Sequence, residues 1–408
     1  MSPATPLHPI SRLADGEQLT FTRLVGRAFG QSMDEATVRH YADTEEPERA
    51  LVARDGDRII GTASALDFSM SVPYAAPVTC PGVTAVTVQP THRRRGVLAS
   101  LMRAQIDDLH ARGAAWAALY ASEASIYGRY GYGVATRSRE YEIDRPWTRF
   151  AQPVEPAAVD WLDVAQALER LPAIYNRVRD AVPGMMSMSD RFWRWNLEWD
   201  PPSERQGGSE RQIVAIGGRA YARYRLKQRW SDTGPDSNLE VEDCMATDPQ
   251  AQQQIWAYLL GIDLVQHVTA RLLPVDDPLP WLLADRRRLR RSEGMPCYVR
   301  LIDVGAALVQ RGTSADGDLV LDVRDTFCPW NTRRWRLEGD GEALRCTPAD
   351  SAPDVTLDVR ELASLSLGGV TPAELARAAL VEEHTAGALR RLTALLASER
   401  PPWNSFIF

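Results

Sequence analysis

The segment from residue 83 to residue 121 constrains the fold more than any other part of this chain. Residues 83–88 are a short run rich in Val and Thr, the make-up of a buried strand. Leu98, Leu101, Met102, Ile106 and Leu109 then recur at spacings of three and four, which predicts an amphipathic helix. Gly113, directly after Arg112, predicts the helix stop. Residues 114–121 predict a second buried strand. A strand, a tight turn, a long helix and another strand form a βαβ unit, the building block of an α/β sheet.

The surrounding pattern extends that sheet. Leu19, Phe21, Leu24, Val25 and Phe29 predict a helix over 18–29, and a second short helix starts at Asp34. Residues 50–54 and 59–64 read as strands joined by the turn Asp55-Gly56-Asp57. Pro146, Pro153 and Pro156 mark a boundary near residue 150.

The middle of the chain repeats the strand and helix order. It has a stretch rich in Trp and Met over 185–200, strands at 212–216 and 220–226, and a helix over 248–266 that begins at a good cap. Trp193, Trp195 and Trp199 read as core. A second break falls in the Arg-rich stretch 285–295. Beyond it, strands are expected at 298–303, 319–324, 333–337 and 355–359, and helices at 360–366, 372–381 and 387–396. The 408 residues exceed one core. Three domains are expected, spanning 1–150, 151–290 and 291–408, in an α/β (α+β) fold with mixed sheets.

Composition excludes several functions. The 47 basic and 54 acidic residues give a net charge of −7, the wrong sign for a broad nucleic-acid surface. The most apolar stretch, 255–265, is shorter than the about 20 residues a membrane span needs and contains Asp263. Residues 1–20 lack a basic start followed by an apolar run, so no secretory leader is expected. Cys80, Cys244, Cys297, Cys328 and Cys346 are scattered and form no CxxC pair, which predicts reduced thiols in a cytoplasmic protein. No His, Asp and Glu cluster suggests a metal.

The chemistry concentrates at the turn of the βαβ unit. The sequence Val86-Thr87-Val88-Gln89-Pro90-Thr91-His92-Arg93-Arg94-Arg95-Gly96-Val97-Leu98-Ala99 ends a strand and opens a helix. A helix N-terminus offers unpaired N–H groups and partial positive charge to a phosphate. Gly96 lets a ligand approach the backbone, and the arginines add forked donors. A solvated basic turn is the alternative reading of Arg93, Arg94 and Arg95.

Here the chain resembles the GNAT superfamily of N-acetyltransferases. Their pyrophosphate loop reads Gln/Arg-x-x-Gly-x-Gly/Ala, matched as Arg93-Arg94-Arg95-Gly96-Val97-Leu98, with Leu98 departing at the last position. The run Ser125-Ile126-Tyr127-Gly128-Arg129-Tyr130-Gly131-Tyr132-Gly133 is similar to the late segment of that fold, where a tyrosine lies near the CoA sulfur. A phenol with an ordinary pKa of about 10 is protonated at neutral pH and can serve as a general acid. Tyr130 and Tyr132 read as core.

Over its whole length the chain resembles the Eis (enhanced intracellular survival) family. The motifs are Thr91-His92-Arg93-Arg94-Arg95-Gly96, Ala121-Ser122-Glu123 and Ile126-Tyr127-Gly128-Arg129, with Cys328-Pro329-Trp330-Asn331 farther on. The resemblance implies an N-terminal GNAT domain, a second GNAT-like domain without the loop, and a C-terminal domain like sterol carrier protein. It implies acetyl-CoA as co-substrate, held by Val86, Thr87 and Val88, by Arg93, Arg94, Arg95, Gly96, Val97, Leu98 and Ala99, and by Ser122 and Glu123. It makes Tyr127 the general acid and the carboxylate of Phe408 the general base. It also implies a homohexamer that acetylates small-molecule amines of the aminoglycoside or polyamine type. Two alternatives stay open: a protein lysine or N-terminal acetyltransferase, and a non-catalytic protein that binds acetyl-CoA or an apolar ligand.

Overall fold

The computed structural model describes residues 8–408. Residues 1–7, which carry part of the reading of the N-terminus, lie outside the described residues. The chain forms two compact units. One holds the chain up to residue 135 together with 297–397 and Phe408. The other holds 136–296 and 398–407.

The first unit contains two large sheets and a two-stranded one, Ser69–Met70 with Val78–Thr79. The largest has seven strands in the order Ile10–Arg12, Leu51–Asp55, Arg58–Leu66, Gly82–Val88, Trp116–Tyr120, Cys297–Leu301 and Gly133–Val134. The helix Val97–Ala111 crosses between Gly82–Val88 and Trp116–Tyr120 and packs on the sheet. It buries Leu101, Met102, Ile106 and Leu109 of the expected stripe, and Val97 besides, while Leu98 is only half-buried. Each such side chain contributes about 1.5–3 kcal/mol. Gln105 is buried too, because its amide donates to the Ser64 carbonyl at 2.8 Å.

The strand Cys297–Leu301 completes this sheet between Trp116–Tyr120 and Gly133–Val134. The expected bounds, 291–408, place that stretch in the C-terminal domain. Every residue in it is buried, so it needs partners on both sides and both faces, and the first sheet supplies them.

The second sheet of the first unit has five strands. Asp316–Arg324 runs through its centre, antiparallel to Arg333–Asp340 and parallel to Val355–Asp358. The helices Val359–Leu365, Pro372–Arg377 and Ala388–Leu396 accompany it. The middle helix stops earlier than the expected residue 381. Ala379 is in the left-handed region, with φ 57°, and Val381–Glu383 pairs as an edge strand instead.

The second unit is built on another seven-stranded sheet. Its strands Ser237–Ala246 and Val265–Pro274 are parallel and joined by the helix Pro249–Gly261, a second βαβ unit. The helix ends before the expected residue 266, because residues from Val265 onward are already strand. Ser138–Asp144, expected in the N-terminal domain, pairs here with Val265–Pro274 and Arg290–Glu293. Of the three tryptophans expected in the core, Trp193 is buried, whereas Trp195 and Trp199 are half-buried. Among the described residues no helix is long and apolar enough to cross a membrane.

Candidate functional site

The first βαβ unit opens where the cleft forms. Gly82 and Val83 pair with Ala118 and Leu119, but the rest of Gly82–Val88 makes no pairs with that neighbour. On its other side the strand stays paired, with Thr87 opposite Thr62 and Val88 opposite Gly61. Ala85, with φ 53°, sits at the register shift in this ladder. The two parallel strands therefore part from Thr84 onward. A cleft of about 660 Å³ lies at the opening.

The turn after this strand has the shape of an anion cradle. Arg94 and Gly96 both adopt left-handed backbone, with φ 61° and 82°. Such residues interleaved with ordinary ones build concave nests of N–H groups. Gly96 is the residue before the helix Val97–Ala111, and no side chain caps that end or places an acid in the first turn. The first N–H groups of the helix are thus available.

Most of the residues singled out from sequence meet in this one cleft. Val86, Thr87, Val88, Arg93, Arg94, Gly96, Val97, Leu98 and Ala99 line it, and so do Ser122, Glu123 and Tyr127. Arg95 does not line the cleft; it is exposed within the turn. Ala28, Phe29, His92, Ile126, Arg129 and Tyr130 line it too, although the sequence reading gives none of them a role in the site. Phe29, which the sequence places on the apolar face of a helix over 18–29, is 52% exposed just past the helix Gln18–Ala28.

Tyr127 closes the short helix Ala124–Tyr127 and is only 7% exposed. Its ring meets Tyr132 edge-on at 6.1 Å. Burial pushes its hydroxyl up to about 12, with Tyr130 and Glu123 adding to the effect. The phenol therefore keeps its proton throughout the neutral range. Behind it the chain is backed by the five-stranded part of the unit. A Cβ on Gly133 would lie 2.1 Å from the Arg360 carbonyl of the helix Val359–Leu365, so only glycine fits there.

Phe408 does not line the cleft. Its ring lies 4.9 Å from Phe68 and 5.4 Å from Tyr120, and a Cβ on Gly82 would stand 2.7 Å from it. It thus packs on Gly82, at the paired base of the two strands that part above.

The second βαβ unit lacks the open helix end of this arrangement. Asp248 caps its helix and accepts from the Ala251 N–H, and Pro249 occupies the first position. Arg219 pairs with the Asp248 carboxylate at 2.6 Å. A carboxylate therefore stands where a phosphate would have to sit. Its parallel strands pair from Ser237 with Val265 to Val241 with Ala270 and, as in the first unit, make no pairs beyond that point.

Comparison with known proteins agrees with this geometry. Residues 9–135 and 184–301 each match an acetyltransferase (GNAT) domain, and residues 304–405 match a sterol carrier protein domain. An uncharacterised N-acetyltransferase of Streptomyces avermitilis is 38% identical over 389 residues, covering 92% of this chain and 94% of the relative. The N-acetyltransferase Eis of Mycobacterium tuberculosis is 33% identical over 380 residues, covering 88% and 89%. The crystal structure of Eis1 from Mycobacterium abscessus superposes with a TM-score of 0.86 at 31% identity, covering 98% of this chain and 100% of that one.

Fold and domain matches together define the class, an N-acetyltransferase of the GNAT type. Within it, the chain belongs to the Eis family. GNAT acetyltransferases use acetyl-CoA. The family fold comprises two GNAT domains followed by the sterol-carrier-like domain.

Proposed function

We propose that this enzyme moves the acetyl group of acetyl-CoA directly to an amine bound in the cleft of the first unit. The observation that carries the reading is the uncapped helix end at Gly96 facing the same cleft as the buried phenol of Tyr127. The residues present fit the co-substrate. The N–H groups of Val97, Leu98 and Ala99, with Arg93 and Arg94, would hold the pyrophosphate. The free backbone edge at Val86, Thr87 and Val88 would hold the pantetheine arm, and Ser122 and Glu123 would flank it.

Acetyl-CoA supplies the thioester. Tyr127 holds the proton that the departing thiolate takes up, and burial keeps it protonated until then. The carboxylate that Phe408 bears in this sequence is the proposed base for the ammonium proton. Holding two reactants side by side supplies much of the rate.

The acceptor proposed is a small polyamine or aminoglycoside-type amine. Glu123 in the lining and the net charge of −7 favour a cationic partner. Assembly as a homohexamer and a cytoplasmic setting belong to the same reading. All five cysteines are buried thiols outside any disulfide, which suits a reducing compartment.

The test is thiol release from acetyl-CoA with a kanamycin-like aminoglycoside, a simple polyamine and a lysine peptide. It compares the chain as given with one extended by a residue beyond Phe408. Turnover with the small amines, lost on extension while Tm holds, is the expected result. Turnover with the peptide alone moves the substrate to protein lysines. Turnover unchanged by extension moves the base away from Phe408.

A further inference from the structure

The second unit holds a cavity that acetyl transfer does not use. Its volume is about 520 Å³. Arg139 and Tyr141 reach it from the strand Ser138–Asp144, and Arg291 from the edge strand Arg290–Glu293. Asp277 comes from the turn after Val265–Pro274, and Trp281 and Arg286 from the segment beyond it. Three guanidinium groups thus converge from three separate segments. Two of them belong to the Arg-rich stretch 285–295, which the fold alone does not explain.

The charge of these arginines is largely unanswered. Arg139 has Glu293 only at 3.7 Å, and that carboxylate is 84% exposed. Among the described residues, Arg286 and Arg291 have no carboxylate within 4.0 Å. Asp276 also lines the cavity, but Arg400 meets it at 3.0 Å.

Asp277 is buried and accepts from the Leu279 N–H at 2.9 Å and the Trp256 indole at 3.3 Å. Burial pushes its carboxyl up to about 7, Asp276 adds to this, and Arg400 opposes it. Tyr141 and Cys244 are its other titratable neighbours, and burial pushes both of them up. Near neutrality, then, an anion in the cavity faces a carboxyl that readily takes a proton.

The remaining wall is aromatic. Trp281 is 75% exposed, and the Arg286 guanidinium stands 4.8 Å from its ring centroid. Forked guanidinium donors match the oxygens of a phosphate, and an exposed indole offers a stacking face.

We propose that this cavity binds a phosphate monoester carrying a flat ring, with the phosphate held by Arg139, Arg286 and Arg291 and the ring against Trp281. The Tyr141 hydroxyl adds a donor at the floor. The site is separate from the acetyl-transfer cleft and does not depend on how that cleft works.

The experiment is calorimetric titration of the full chain with phenyl phosphate, inorganic phosphate and benzoate. Wild type should bind phenyl phosphate about ten-fold more tightly than either other probe. Arg139→Gln/Arg291→Gln should weaken phenyl phosphate at least about ten-fold, while acetyl-CoA turnover and Tm stay unchanged. Trp281→Ala should bring phenyl phosphate down to the level of inorganic phosphate. Ala99→Asp, which alters only the other cleft, should leave phenyl phosphate binding as in wild type. Binding that survives Arg139→Gln/Arg291→Gln, or is lost in Ala99→Asp, would overturn the proposal. So would the absence of binding, or benzoate binding as tightly as phenyl phosphate.

Discussion

The Arg300 guanidinium and the Asp325 carboxylate meet at 2.5 Å where neither side chain touches solvent to more than 1%. Arg300 belongs to the seven-stranded sheet, and Asp325 follows the central strand of the five-stranded one. The pair joins the two large sheets of the first unit. Asp325 also accepts from the Phe327 and Cys328 N–H groups and from the Asn331 amide, at 3.2, 2.8 and 3.0 Å. It thereby orders the Cys328-Pro329-Trp330-Asn331 turn. Removing one partner of such a pair strands the other charge, so Asp325→Ala should cost about 3–5 kcal/mol. The double change Arg300→Met/Asp325→Leu should cost clearly less. Chemical denaturation of the three proteins checks the order.

Gly133 carries the same connection to the tyrosine segment. A methyl there meets the Arg360 carbonyl and the Ser364 backbone at 2.1 and 2.8 Å, and backbone yields little. Gly133→Ala should therefore destabilise the first unit by about 1–3 kcal/mol. Turnover should fall at temperatures where the variant is still folded, because the displaced segment carries Tyr127. Melting curves and rates measured below the transition separate the two effects.

Much of this was legible in the sequence, and the reason is local. The stripe from Leu98 to Leu109 and the Arg-rich turn before Gly96 specify their own structure within a few residues. Twelve of the fourteen residues proposed for the site line one cleft, because strand, turn and helix are contiguous in the chain. What was not legible depends on distant pairing. Residues 298–303 read as a strand, but nothing local says which sheet takes it, since burial on both faces makes either sheet acceptable, and the strand at 138–144 is not read from the sequence at all. Ala28 and Phe29 join the cleft only through tertiary folding, and Arg95 does not line it.

The helix end at Gly96 can be tested with opposing signs. An acid in the first turn of Val97–Ala111 should stabilise that helix by about 0.3–1 kcal/mol. The same charge should repel a phosphate. Ala99→Asp is thus expected to hold or raise Tm while raising the KM for acetyl-CoA at least about ten-fold. The second βαβ unit already has an acid at the matching helix end, in Asp248.

A pH effect is expected in the second unit. His267 lies between Asp144 and Asp236, at 2.8 and 3.0 Å, and their hydrogen bonds raise its pKa above the ordinary 6.5. A histidine whose folded pKa is raised gives stability that is fully present below its unfolded pKa and lost as pH rises through the folded one. The melting temperature of wild type should therefore decline from about pH 6.5 upward. In His267→Gln that part of the decline should vanish. Differential scanning calorimetry across this range reads it directly.

The central claim is that the buried phenol of Tyr127 supplies the proton in acetyl transfer. The most direct measurement is single-turnover kinetics of Tyr127→Phe, with acetyl-CoA affinity determined on the same protein by calorimetry. The account predicts that kcat falls by about 10²–10⁴-fold while the affinity for acetyl-CoA changes little. Turnover equal to wild type would contradict it.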